Sequence, residues 1–164
     1  MSAAIGPAPP GTGIRVGVGY DSHPFAEGRR LVIGGVEIEH DRGLGGHSDA
    51  DVLTHAAIDA VLGAAGMGDL GRHFPPDDER WRDADSLDLL RVVVSQLRGR
   101  VLNVDASVVC ESPRLAPHRA QMERELGEVL AAPVSVKATT NEGMGWVGRG
   151  EGIACIAVAL IAVQ

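Results

Sequence analysis

Residues 51–62, DVLTHAAIDAVL, constrain the fold more than any other stretch of the chain. They are apolar on nearly every side, and a helix of that kind has to be buried. Its polar exceptions, Asp51, His55 and Asp59, stand at i, i+4 and i+8 and so share one face. Charged side chains on a buried helix need partners, and a metal ion supplies one. Further ligands lie upstream. Residues 14–20, IRVGVGY, alternate branched side chains with glycine and arginine as a strand does, and Asp21 and His23 follow two apart. If the extended geometry carries on, both side chains point to one face. Asp21, His23 and His55, brought together by a strand end and a helix, make a divalent site suited to zinc, with a fourth position open to an oxygen of water or substrate. Asp51 and Asp59 are placed to accept the other ring N–H of His55. The bland alternative is a core histidine satisfied by one of these carboxylates.

The remaining segments read as an α+β order. Residues 31–39 form a hairpin turned at Gly34-Gly35, a favoured two-residue turn. The Gly-rich residues 41–46 deliver His47, Ser48 and Asp49 to the helix, with Ser48 or Asp49 as its N-cap. Residues 63–83 hold glycines, paired prolines and many charges without periodicity, which marks either a functional lid or an ordinary surface loop. From Asp85 an amphipathic helix carries Leu87, Leu90, Val94 and Leu97 on one face and ends near Gly99. Residues 102–110 alternate as a strand, with Val104, Ala106, Val108 and Cys110 on one side. Pro117 opens a helix that ends before Pro133, and residues 134–139 alternate again. Residues 140–152 are dense in glycine around Thr140, Glu142 and Arg149. That density reads either as backbone N–H groups brought close to a ligand or as a plain turn. Residues 153–163, IACIAVALIAV, are too short to span a bilayer and form a strand that is buried on both faces or offers one to other subunits.

With 164 residues, one domain with a real core is expected: residues 14–164 behind a flexible tail, 1–13. It is a single α+β domain with helices packed on one face of a mainly four-stranded sheet. The charge of -7 argues against nonspecific binding of nucleic acid or anionic membrane but leaves small anionic substrates open. Cys110 and Cys155 lie in apolar runs without metal spacing, as buried thiols of a cytoplasmic protein do. The first residues carry neither a basic segment nor an apolar core of a secretory signal. Only 3% of residues are aromatic, so the chain relies on aliphatic area and is expected to complete its core against copies of itself.

The blocks GYDSHPF, IGG, GHSDADVLTHAAIDAVLGAAGMGDLGRHFP, NVD and KATTNEGMGWVGRGEGIAC together resemble the 2-C-methyl-D-erythritol 2,4-cyclodiphosphate synthase family, over a span from about Arg15 to the C-terminus. The metal triad of that family falls on Asp21, His23 and His55. The resemblance implies a homotrimer with three active sites at subunit boundaries around a central apolar cavity. It also implies Zn2+ in each subunit and Mg2+ or Mn2+ at the diphosphate of a cytidine-bearing substrate. By position, His47 and Ser48 match the pair at the substrate phosphate. Asp69, Leu70 and Gly71, with Phe74, Pro75, Pro76, Asp77 and Asp78, match the contacts to the methylerythritol phosphate and ribose. Cys110, Glu111, Ser112, Pro113, Arg114, Leu115 and Ala116 match the cytosine-binding loop. Thr139, Thr140, Asn141 and Glu142 match the Thr-Thr-x-Glu segment, with Thr140 at the phosphates and Glu142 facing the second metal. Asp21 and His23 count among the substrate contacts as well. Two departures stand out: Gly143-Met144-Gly145-Trp146 occupies the usual Lys-Leu-Gly-Phe, and Arg114 stands where Lys is common. Arg149 and Glu151 match the family's subunit-contact signature.

The implied reaction is attack of the substrate's 2-phosphate on the β-phosphorus of its own cytidine diphosphate, with loss of CMP, catalysed through His47 and Thr140. Two rivals use the same residues. A metal-dependent phosphohydrolase would deliver water to a similar diphosphate, and a trimeric zinc-containing ligand-binding protein would use the ion structurally. Structural zinc normally takes four protein ligands, and only three are found.

Overall fold

The longest helix lies against the first strand because that strand has no side chains in the way. In a computed structural model that describes residues 13–163, β1 (Gly13–Ala26) runs beneath α1 (Val52–Ala65). A Cβ on Gly17 would stand 2.1 Å from the Ala60 carbonyl oxygen, and one on Gly19 2.0 Å from that of Ala56. Glycine at both positions, with Ala56, Ala60 and Ala64 above them, lets the two backbones approach. Of the expected tail, residues 1–12 lie outside the described residues, and Gly13 already belongs to β1.

The hairpin forms as its sequence requires. Leu31–Ile33 (β2) and Val36–Ile38 (β3) pair antiparallel around Gly34 and Gly35, at φ +61° and +72°. Two left-handed residues make the turn that matches strand twist, and only glycine adopts that pair freely. A short strand, β4 (Gly43–Leu44), then pairs with the end of β1, which changes partner at Pro24, where the proline has no N–H to give. After α1 come α2 (Leu70–His73), a 3₁₀ turn at Glu79–Trp81 and α3 (Ser86–Gln96). The second half is β5 (Gly99–Val109), α4 (Arg119–Leu130), β6 (Val134–Thr139), a single turn α5 (Gly145–Gly148) and β7 (Gly152–Val163).

The sheet order is β4-β1-β7-β5-β6, with β5 and β6 parallel and the other neighbours antiparallel. Four long strands and the two-residue β4 thus agree with the expected mainly four-stranded sheet. Residues 153–163 are its centre. Cys155, Ala157, Ala159 and Ile161 face the helices and are buried, as are Val104, Ala106 and Val108 of β5. Among the described residues, no helix covers the opposite face. Ile14, Val16, Val18 and Tyr20 of β1 are 56–70% exposed there, and Ile156 and Val158 of β7 are 47% and 40% exposed. The last strand is therefore buried on one face only within a chain.

Some boundaries differ from the sequence reading. The N-cap of α1 is Asp51, whose side chain accepts from the N–H of Leu53 and Thr54; Ser48 and Asp49 precede it. Helix α4 begins two residues after Pro117, capped at His118. The buried face of α3 is Ser86, Leu87, Leu89, Leu90 and Val93, with Val94 and Leu97 only half-buried at its margin. Residues 63–83 are not one irregular loop: α1 extends into them, and α2 and the 3₁₀ turn punctuate the rest.

Candidate metal centre and substrate pocket

Asp21 and His23 keep the alternation of β1 and project beneath His55 of α1. The Asp21 carboxylate lies 2.8 Å from His23 Nε2 and 3.0 Å from His55 Nδ1, and the two ring nitrogens are 3.2 Å apart. All three ligand atoms fall within 4.8 Å of one another.

The protons on the rings are set from outside the cluster. His23 Nδ1 lies 2.8 Å from the carbonyl oxygen of Gly45, which only accepts, so Nδ1 carries the proton and Nε2 presents its lone pair. His55 Nε2 lies 2.9 Å from Ser86 Oγ and 3.1 Å from Ser48 Oγ, which turns Nδ1 inward. The His23 lone pair, His55 Nδ1 and a carboxylate then converge on one point, an arrangement that suits a cation. Despite the opposing effect of burial, the hydrogen bond and charge of Asp21 raise the His23 pKa. Against the upward pull of burial, His23 and His55 hold the Asp21 carboxyl well below the usual carboxylate range. One carboxylate and two imidazoles suit zinc or a similar divalent ion.

The carboxylates expected behind His55 are employed elsewhere. Asp51 is buried and accepts from Gly34 N–H (2.8 Å), Gly35 N–H (2.7 Å) and the Thr54 hydroxyl (2.7 Å) besides its capping bonds. Asp59 accepts the Leu70 N–H at 2.7 Å. The carboxylate on the Nε2 side of His55 is instead Asp49, reached through a hydroxyl: Ser86 Oγ–H donates to Asp49, which also takes the Ser86 N–H at 3.0 Å. Neither Ser86 nor Asp49 is among the residues that the sequence marks as a site. Their separation of 37 positions leaves no periodic signal in the sequence.

The metal cluster forms one wall of a cavity of about 260 Å³, with His47, Ser48, Leu70, Gly71, Phe74 and Pro76 around it. His47 Nε2 donates to the Asp78 carbonyl at 3.2 Å and is not hydrogen-bonded to the three ligands. Trp81 and Leu89 also line this cavity, and the Trp81 ring meets Phe74 edge-on at 4.9 Å. Rarity was the available signal for Trp81, one of two tryptophans in the chain. Asp69 and Asp78 serve as caps, of α2 and the 3₁₀ turn, while Pro75 accepts the Asp78 N–H and Asp77 is exposed.

A second hollow, of about 180 Å³, lies elsewhere on the chain and gathers Cys110, Glu111, Pro113, Arg114, Leu115, Ala116, Thr139 and Thr140. Ser112, joined to Pro113 by a cis peptide bond, is exposed beside it. Glu111 accepts the N–H of Asn141 at 2.8 Å and of Gly143 at 3.3 Å, which fixes the loop after β6. Thr140 Oγ1 donates to Glu142 at 2.9 Å. Trp146 lies in α5, and Arg149 pairs with Glu151 at 2.6 Å. The strand order puts this group at the far edge from the metal. Three strand spacings separate β1 from β6, roughly 14 Å, so one chain does not bring Thr140 and Glu142 to Asp21.

An α+β chain with a mixed sheet, helices on one face and an Asp-His-His cluster open to a cavity has the architecture and donor set that suit a divalent-metal site. Residues 14–162 match the YgbB family model, and the chain belongs to the YgbB family. It is 56% identical over 154 residues to a 2-C-methyl-D-erythritol 2,4-cyclodiphosphate synthase of Methylobacillus flagellatus, covering 90% of this chain and 96% of that protein. Likeness to the synthase of that name from Symbiobacterium thermophilum is 57% over 153 residues, covering 90% and 98%. Among solved structures, the CDP complex of Plasmodium falciparum IspF superposes with a TM-score of 0.79 at 31% identity, over 93% of this chain and 97% of that one. The bifunctional IspDF of Campylobacter jejuni gives a TM-score of 0.89 at 37% identity. There the chain corresponds to 44% of the longer protein, with 94% of its own length matched.

Proposed function

We propose that the chain is a 2-C-methyl-D-erythritol 2,4-cyclodiphosphate synthase, a phosphorus-oxygen lyase of the non-mevalonate isoprenoid pathway. It converts 4-diphosphocytidyl-2-C-methyl-D-erythritol 2-phosphate to the cyclic 2,4-diphosphate and CMP. The observation that carries this reading is the Asp21-His23-His55 cluster, its ring protons turned away, facing a pocket with His47 and Ser48 on its rim.

The 2-phosphate oxygen forms a bond to the β-phosphorus, and the bond from that phosphorus to the oxygen bridging it to the α-phosphate breaks, leaving with CMP. No protein nucleophile is needed, since the attacking oxygen is already an anion. Zn2+ on Asp21, His23 and His55, with Mg2+ or Mn2+ at Glu142, would offset the repulsion between the two anionic groups. His47 orients the 2-phosphate, and Ser48 donates beside it. Leu70, Phe74 and Pro76 enclose the methylerythritol carbons and exclude water that would give linear phosphates. The hollow from Cys110 to Ala116 takes the cytosine, with Arg114 at its rim, and Thr140 directs a hydroxyl to the diphosphate.

The working unit is a homotrimer. Two features support this: the uncovered apolar sheet face of β1 and β7, and the separation of the metal half from the Thr140 half within one chain. A neighbouring copy that places its β6 edge against this chain's metal pocket completes a site, and cyclic symmetry repeats it. The proposed location is the cytoplasm, supported by two unpaired buried thiols. No helix among the described residues is long and apolar enough to cross a membrane.

Phosphorus NMR of the products formed by purified protein and the cytidine diphosphate substrate tests the assignment. A cyclic diphosphate with CMP is expected. Linear phosphates would make the protein a hydrolase.

A further inference from the structure

Ser86 is buried at the first position of α3, and no part of the proposed chemistry uses it. Its hydroxyl nevertheless lies 2.9 Å from His55 Nε2 and against Asp49 Oδ1. A carboxylate only accepts, so the Ser86 proton is committed to Asp49, and the lone pairs of Oγ are left for His55. The Ser86 oxygen can then only accept from Nε2, which makes His55 the Nε2–H tautomer and frees Nδ1 for an ion. Ser48, the other neighbour of Nε2 at 3.1 Å, has no such constraint. Its oxygen accepts the Ala50 N–H at 3.3 Å and its own proton is free to turn toward Nε2.

Asp49 is itself held. Oδ1 takes the Asp51 N–H at 3.1 Å, Oδ2 takes the Ser86 N–H at 3.0 Å, and its own N–H donates to the Ala84 carbonyl at 3.1 Å. These bonds clamp the segment before α1 to the start of α3.

We infer that Asp49 and Ser86 are a positioning pair that sets the tautomer of His55 and thereby the affinity of the Asp21-His23-His55 site for a divalent ion. This rests on the metal reading above. Partners of this kind typically change metal affinity by about 10–100-fold when removed. The pair acts through His55 and touches no substrate.

The test compares wild type, Ser86→Ala, Asp49→Asn and His55→Ala. Protein stripped with a chelator is titrated with Zn2+ against a competing metal indicator, and histidine tautomers in the metal-free proteins are read by long-range proton–nitrogen NMR. The expected wild-type state is His55 Nε2–H. In Ser86→Ala the rotating Ser48 hydroxyl is left as partner, so a mixture with the Nδ1–H form is expected, and Zn2+ binding weakens by about 10-fold or more. Asp49→Asn should move both readouts in the same direction by less, and it decides the matter if Ser86→Ala does not fold. His55→Ala should lose the site. Wild-type affinity and a single Nε2–H tautomer in both Ser86→Ala and Asp49→Asn, with zinc still lost in His55→Ala, would overturn the inference and leave the metal site standing. Absence of Zn2+ binding by the wild type would overturn both.

Discussion

Asp51 accepts the backbone N–H of Gly34 at 2.8 Å, which ties the turn of the β2–β3 hairpin to the first turn of α1 across 17 residues of chain. The same carboxylate takes four more donors, from Gly35, Leu53, Thr54 N–H and the Thr54 hydroxyl. Asp51→Asn puts an amide NH2 among donors and removes the charge that they all address. A loss of about 3 kcal/mol is expected, read from urea unfolding in the metal-free protein. A change under 0.5 kcal/mol would show that the hairpin is anchored by packing alone.

That bond also explains where sequence reading stopped. The Gly34-Gly35 turn, the β6 strand and the shared face of Asp21 and His23 were legible, since each is set by neighbours within a few residues. The cap of α1 was not. Ser48, Asp49 and Asp51 are all good caps locally, and the choice is made by two amides 16 and 17 residues away. The pair behind His55 was hidden for the same reason, because Ser86 and Asp49 meet only after α3 packs on α1. Asp59, on the expected stripe, turned instead to the start of α2.

Zinc content should separate two histidines that lie eight residues apart. His55→Ala and His23→Ala are expected to lose most of the roughly one Zn2+ per chain, whereas His47→Ala keeps it and loses most of kcat/KM. Elemental analysis alongside steady-state kinetics checks this. Loss of zinc from His47→Ala would place His47 in the metal's first layer of ligands.

Gly19→Ala should be among the most damaging small changes available. The new methyl would meet backbone, the Ala56 carbonyl oxygen at 2.0 Å, which no rotamer relieves. A cost of about 3 kcal/mol or more, or failure to accumulate folded protein, is expected in thermal unfolding. Gly63→Ala, whose new methyl would meet nothing beyond its own helix closer than the Val18 carbonyl oxygen at 3.9 Å, serves as the tolerated control.

Burial, reinforced by the charge of Glu111, pushes the Cys110 thiol up to about 11. An acid raised in the folded state holds its proton more tightly there than in the unfolded chain, whose thiol ionises near 8.5. Stability contributed by this group is therefore complete below about pH 8.5 and declines as pH climbs toward 11. Alkylation at pH 8 should be slow in the folded protein and fast in urea, with the folded rate rising only as pH approaches the raised value. Mass spectrometry of timed samples measures it, and rapid labelling of native Cys110 at pH 8 would contradict the direction of the shift.

Val18→Glu tests assembly without entering the core, since Val18 is 68% exposed in the single chain. The variant should fold yet sediment at the 17.1 kDa chain mass and lack activity, while wild type sediments as a trimer. A fully active wild-type species at that mass, followed through a dilution series, would rule the shared site out.

The placement of β1 and β6 on opposite sides of β7 and β5 has a genetic consequence. If each working site borrows its metal half from one copy and its Thr140 half from the next, lesions in the two halves belong to different complementation groups although they lie in one gene. Mixing a His55→Ala chain with a Thr140→Ala chain, each inactive alone, should restore activity. In rings formed at random from equal amounts, roughly a quarter of the interfaces join two intact halves. Two lesions in the same half never complement, so a cross of mutant alleles sorts the chain's residues by the half they serve.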